Sequence, residues 1–305
     1  MTELISKYLQ YLKIERNASV HTINSYGNDL SQLLDFAARE FNKEIRHVQV
    51  DEIDRLTIRL WLGELSENEM ARNTIARKVA SVRSFFKYCF KRGYVDKNPA
   101  HLLIVPKKEQ RLPKTVRLTD IETMMNLADG DEPGQIQEKA ILELFYSTGM
   151  RLSELTGLNV TDLDLNQRQI TVFGKGSKQR TIPLGNKALD ACSSHLQTRK
   201  KLLTSKSGPD AKTALFIAPE GGRMYPRKVQ RIVKDYFLKV SEVTQKSPHT
   251  LRHSFATHML DAGADIRMIK EFLGHANLAS TQVYTHTSVE RLKKVYSQAH
   301  PRAEK

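Results

Sequence analysis

The sequence predicts a mainly α-helical protein with a small β-sheet, divided into two domains. Three observations predict it. The 305 residues suffice for about two domains of roughly 100–200 residues each. Apolar residues recur at helical spacing through the first hundred positions. The stretch 169–184 instead reads as two short strands around a glycine-bearing turn.

In the first part, Leu4, Tyr8, Leu9 and Leu12 share one helical face. Ser19 can cap a second helix that carries Ile23, Tyr26, Leu30, Leu33, Leu34 and Phe36. A third helix is expected near 52–65, with Ile53, Leu56, Leu60 and Trp61 inward. A fourth spans about 74–92, with Ile75, Val79, Val82, Phe85, Phe86 and Cys89, and Gly93 ends it. Asn98-Pro99 then breaks the chain, and the Pro- and Lys-bearing stretch 105–113 reads as an extended linker between a domain of 1–104 and one of 114–305. In the second domain helices are expected near Thr119, over about 134–147 and from Arg151. The strands Gln169–Phe173 and Gln179–Leu184 follow, and the remainder is largely helical.

Lys plus Arg number 48 against 34 Asp plus Glu, a net charge of +14. Between 165 and 235 there are 15 basic and 4 acidic residues. Such an excess points to an anionic partner, nucleic acid first. No apolar run is long enough to span a membrane, and the N-terminus lacks the apolar core of a signal peptide. Cys89 and Cys192 form neither a disulfide framework nor a CxxC site, which fits a cytoplasmic protein.

From Ala71 to Tyr94 there are seven cations and no acid. The apolar positions define one helix face, so Arg72, Arg77, Lys78, Arg83 and Lys87 are expected on the other, toward DNA. The second domain holds a spaced polar set. Arg151 lies in Thr148-Gly-Met-Arg-Leu-Ser-Glu154, and Lys175 lies between Gly174 and Gly176. His249 and Arg252 lie in His-Thr-Leu-Arg-His253, His275 follows Leu273-Gly274, and Tyr284 comes nine residues after His275.

These residues, in this order, resemble the tyrosine recombinase (phage integrase) family over nearly the whole chain. The linker, the hairpin and the segment 288–302 are most similar to the Xer branch, which resolves chromosome dimers. The resemblance implies a helical, SAM-like core-binding domain followed by a mixed α/β catalytic domain. It assigns the six family roles to Arg151, Lys175, His249, Arg252, His275 and Tyr284, with Tyr284 as nucleophile. Lys178 and Arg180, beside Lys175, become phosphate binders or surface charges. It further implies double-stranded DNA with inverted-repeat half-sites, a tetramer of like protomers or of this chain with a paralogue, and an activating DNA translocase. No cofactor or metal is expected. The segment after Tyr284, with Val289, Leu292, Val295 and Tyr296 on one face, is expected to dock on a neighbouring protomer.

The residue types suit that chemistry on their own. Transfer of a phosphodiester to a side chain needs a nucleophile, charge on the phosphate and a proton for the leaving oxygen. Arg stays charged and forks onto phosphate oxygens, which suits Arg151 and Arg252. Glu154, one turn after Arg151, is suited to orienting it. His249 and His253 have i, i+4 spacing but no accompanying HExxH pattern, so zinc is disfavoured and His253 and His258 are taken as structural. Three rival readings are a helix-turn-helix regulator, a type IB topoisomerase, and a phage or transposon integrase. A regulator has no need of the six-residue set. A topoisomerase acts as a monomer, and an integrase often carries an extra arm-binding domain before the helices that open this chain.

Overall fold

The computed structural model describes residues 1–104, 115–174, 179–240, 246–274 and 286–303. It separates into two compact units, Met1–Leu112 and Pro113–Lys305, each with its own apolar core. The expected linker, 105–113, lies outside the described residues.

The first unit holds α1 (Thr2–Ile14), α2 (Val20–Glu40), α3 (Arg55–Glu67) and α4 (Arg72–Lys91). Ser19 caps α2 by accepting from the Thr22 N–H, and Asp54 caps α3 by accepting from the Thr57 N–H. The α3 face differs from expectation. The cap starts the helix at Arg55, so Ile58, Trp61 and Leu65 form the buried stripe, while Leu56 and Leu60 are 59% and 45% exposed. Helix α4 ends at Gly93, whose positive φ of 73° suits a residue without Cβ.

The second unit opens with α5 (Leu118–Leu127), α6 (Pro133–Thr148) and α7 (Leu152–Gly157). A three-stranded antiparallel sheet of order β1-β2-β3 follows: β1 (Leu163–Asp164), β2 (Gln169–Phe173) and β3 (Gln179–Pro183). The short β1 had no signal in the sequence pattern. Val172 pairs with Arg180 and Ile170 with Ile182. Side chains alternate across the sheet, so Ile170, Val172, Arg180 and Ile182 all face the core. Helices α8 (Asn186–Thr198), α9 (Pro209–Thr213), α10 (Pro226–Val240), α11 (Pro248–Asp261), α12 (Ile266–Leu273) and α13 (His286–Ala299) complete the unit.

Helix α13 corrects one expectation. Its Leu292 and Tyr296 are buried in the core of their own unit, with Val295 packed beside them, rather than left for a neighbour. Tyr296 stacks on His300 with ring centroids 4.5 Å apart, and Arg302 forks onto the buried Glu143. The apolar face therefore finds its partner within the chain. Val289 lies outside the described side chains. Among the described residues, no helix is long and apolar enough to cross a membrane.

His195 on α8 is fully buried, with Nε2 2.9 Å from the Leu215 carbonyl and its ring stacked on Phe216. Burial pushes its pKa down to about 4. The unfolded chain, with an ordinary histidine pKa, then binds more protons than the folded one between about pH 4 and 6.5. Stability should fall on acidification through that window, His195 adding at most about 1.4 kcal/mol per pH unit. Urea unfolding at several pH values should show a smaller slope for His195→Gln.

Candidate active site

The site is built around α7 and the C-terminus of α12. Helix α6 ends at Gly149, whose φ is 56° and whose missing side chain leaves room for the ring of Phe255 on α11. The reversal at Gly149 places Arg151 immediately before α7. Glu154, in the first turn of α7, reaches back to accept the Arg151 backbone N–H at 2.7 Å and its guanidinium Nη1 at 2.9 Å. Arg151 Nη2 donates to the Gly274 carbonyl at 2.9 Å.

Arg252, on α11, donates to the carbonyls of Gly149 and of Leu273, the latter at 2.7 Å. Arg180, on β3, donates through Nε to the Phe272 carbonyl at 3.0 Å. Three guanidiniums thus hold the consecutive carbonyls of Phe272, Leu273 and Gly274. These are the groups an α-helix leaves unpaired at its C-terminus, where its dipole favours cations. Gly274 closes α12 with a φ of 62°.

The electrostatics follow from burial and pairing. Burial alone would raise the Glu154 pKa, but the bonds from Arg180 and Arg151 outweigh it and bring the carboxyl down to about 2. Burial, and then the nearby Arg151 charge, lower Arg252 to about 10, still well above neutral pH. Arg151 keeps more than a third of its side chain open to solvent and Arg252 is half-buried, so the pair can meet a solvent-borne anion.

The structure therefore brings Arg151 and Arg252 together. His249, at the start of α11, is exposed at the edge of a shallow pocket that also holds Arg231, Lys234 and Lys246. Lys175, Lys178, His275 and Tyr284 lie outside the described residues. Three other tyrosines are poor nucleophiles: Tyr146, Tyr236 and Tyr296 are buried, which raises all three and pushes Tyr236 up to about 12. His258 bonds the Tyr146 hydroxyl at 2.7 Å and the Val116 carbonyl at 2.9 Å, a structural role.

Two expected DNA contacts are corrected. Arg180 is 5% exposed and forks onto Glu154 with two bonds of 2.8 Å. It shares strand parity with Ile182, and that alternation is the signal that points it inward. Lys78 is 2% exposed, paired with buried Asp29 and Gln32 and set over the Trp61 ring. It lies three residues after Ile75 and four before Val82, on the apolar stripe itself. Arg77 is partly exposed and also binds Asp29. Arg72, Arg83 and Lys87 are exposed, and the last two line a groove of about 1290 Å³ with Arg16, Arg55 and Lys91. Arg16 and Arg55 were missed because they stand outside α4, Arg16 in the bend after α1 and Arg55 at the start of α3.

Comparison with known proteins identifies the class. The Phage integrase family pattern matches residues 114–291, and the pattern of the Phage integrase, N-terminal SAM-like domain matches 5–93. The chain belongs to the phage integrase family and is a tyrosine recombinase, an enzyme that cuts and rejoins DNA at specific sites. Within that family it is similar to the tyrosine recombinase XerC of Pelotomaculum thermopropionicum, 40% identical over 300 residues that cover 98% of each chain. The XerC of Pelobacter propionicus is also 40% identical, over 99% of this chain and 97% of that one. Two solved structures share the fold. XerH recombinase in a post-cleavage complex with palindromic difH substrate is 21% identical over 96% of this chain and 84% of that one, with a TM-score of 0.68. The Tn1549 transposon integrase with circular intermediate DNA is 19% identical over 95% and 98%, with a TM-score of 0.70.

The N-terminal cations should separate by experiment. Replacing Arg83 and Lys87 by Ala should weaken DNA binding and lower the slope of log K against log salt by up to about two units. Asp29→Asn should leave that slope unchanged but cost the first unit about 3–5 kcal/mol, because Lys78 would stay buried without its carboxylate. Fluorescence anisotropy across a salt series and urea unfolding read the two effects.

Proposed function

We propose that this chain is a Xer-type recombinase in which Tyr284 is the nucleophile and Arg151 and Arg252 clamp the scissile phosphate. The tyrosine oxygen attacks phosphorus, the bond to the 5′-oxygen breaks, and a 3′-phosphotyrosine forms. Lys175 supplies the proton to the departing 5′-oxygen, and His249 serves as proton shuttle for the phenol. His275 supports the phosphate. A 5′-hydroxyl from a second strand then attacks the phosphotyrosine, which restores the tyrosine and joins the new strand. The phosphotyrosine conserves the energy of the broken linkage, so no ATP is consumed.

The observation that carries this reading is the pair of arginines anchored on Gly149, Leu273 and Gly274. The two side chains come from separate segments, Arg151 from the residue before α7 and Arg252 from α11, yet their guanidiniums converge on the end of α12. Such preorganised donors stabilise the charge that grows on the non-bridging oxygens. Similarity to XerC chains over nearly the full length supports a role in resolving chromosome dimers in the cytoplasm. There, four protomers, alone or with a paralogue, would act on paired inverted-repeat sites through a Holliday junction. A DNA translocase would trigger that assembly. The Tn1549 structures support the integrase reading only at the level of fold.

A nicked suicide substrate tests the chemistry. Wild type should form a covalent DNA adduct, and Tyr284→Phe should form none while binding the site with unchanged affinity. Arg252→Lys should cut the adduct rate about a hundredfold or more, since a lysine cannot replace the forked donor. Adduct formation by Tyr284→Phe would remove Tyr284 from the nucleophile role.

A further inference from the structure

Arg180 is absent from the six family roles, yet it is buried against Glu154, the carboxylate that also holds Arg151. Its Nη1 and Nη2 each lie 2.8 Å from one oxygen of Glu154, and its Nε lies 3.0 Å from the Phe272 carbonyl. Its guanidinium also presses on Gly274, where an added Cβ would stand 2.9 Å from Nη1. Through Glu154 it reaches Arg151, and Arg151 returns to the Gly274 carbonyl. The result is a closed ring of bonds that joins β3, α7 and the end of α12.

A carboxylate offers about four lone-pair positions on two oxygens. In a dry site with a single arginine partner, Glu154 would draw that arginine into a full fork, since bidentate pairing is the strongest geometry available. Here Arg180 takes one position on each oxygen. Arg151 is left with one side-chain bond to Glu154, through Nη1, and a second to a carbonyl, through Nη2. Its remaining N–H groups stay unbound by the carboxylate.

We infer that Arg180 is a positioning residue for Arg151: it occupies the Glu154 carboxylate so that Arg151 is oriented without being captured, and its open donors face the phosphate. The inference rests on the reading of Arg151 as a phosphate clamp. Arg180 itself touches no DNA. Its strand also follows directly on the segment that carries Lys175 in the sequence, so the same side chain ties that strand to the arginine clamp.

The test uses the full chain with Arg180→Lys and Arg180→Met. Three quantities are measured: single-turnover adduct formation at saturating suicide substrate, DNA affinity by anisotropy, and the folded fraction by circular dichroism. Arg180→Met should lower the adduct rate about a hundredfold and Arg180→Lys about tenfold, each with affinity within about twofold of wild type. A rate equal to wild type in Arg180→Met overturns the inference. So does a loss that merely tracks the folded fraction or the DNA affinity. A second readout needs no activity: carbon-13 titration of the Glu154 carboxyl, which is faced by Arg151, Arg180 and Arg252. Its midpoint should rise by more than about one pH unit in Arg180→Lys, because a lysine cannot fork onto both oxygens. An unchanged midpoint overturns the inference. If wild type forms no adduct at all, the recombinase reading fails, and the titration still decides whether Arg180 governs Glu154.

Discussion

The second unit depends on one buried carboxylate. Glu154 sits in an apolar interior, where an unpaired charge would be prohibitive, and it stays ionised because two guanidiniums and a backbone N–H meet it. Each of those partners comes from an element whose course is set for the purpose. The left-handed turn at Gly149 delivers Arg151 to the head of α7. Strand parity turns Arg180 inward from β3. Once both are in place, their remaining donors fall on the end of α12, and that fixes where the helix must stop.

The same cluster carries surplus charge. Three arginines converge, and a single carboxylate hydrogen-bonds two of them. Helix carbonyls offset part of the difference, and burial, followed by the neighbouring Arg151 charge, lowers the pKa of Arg252. Such a site is short of one anion. A phosphodiester entering it gains from donors already in position, with little reorganisation when charge accumulates on its oxygens. The lesson for the rest of the molecule is that its basic residues fall into two populations. Some, like Arg83 and Lys87, stand in water on the groove of the first unit. Others, such as Lys78, Arg180 and Arg199, are buried and hold the protein to itself.

How much of this could be read without coordinates varies by residue. The four N-terminal helices, the β2–β3 pair and the placement of Arg151 and Arg252 follow from spacing, caps and motif order, which are local signals. Arg180 and Lys78 were misplaced because positive charge was weighed above periodicity. Both stand on apolar stripes, and a buried acid elsewhere in the chain, Glu154 or Asp29, makes the burial possible. That acid is remote in sequence from Lys78, so its partner was invisible to local reasoning. Leu56 and Leu60 failed for a related reason: the Asp54 cap sets the phase of α3, and a shift of a residue or two in the start rotates the whole face. The fate of α13 was illegible because it rests on tertiary contacts: Leu292 and Tyr296 join the core of the second unit, and Arg302, just beyond the helix, reaches Glu143, 159 residues away.

The contact between Arg180 and Gly274 has a consequence for how such proteins diverge. A side chain at Gly274 would strike the guanidinium, and a smaller residue at 180 would strand Glu154. No single substitution at 154, 180 or 274 leaves the other two content. Across lineages these three positions are therefore constrained to drift as one inherited unit, and the covariation of that trio is the historical trace its geometry should leave.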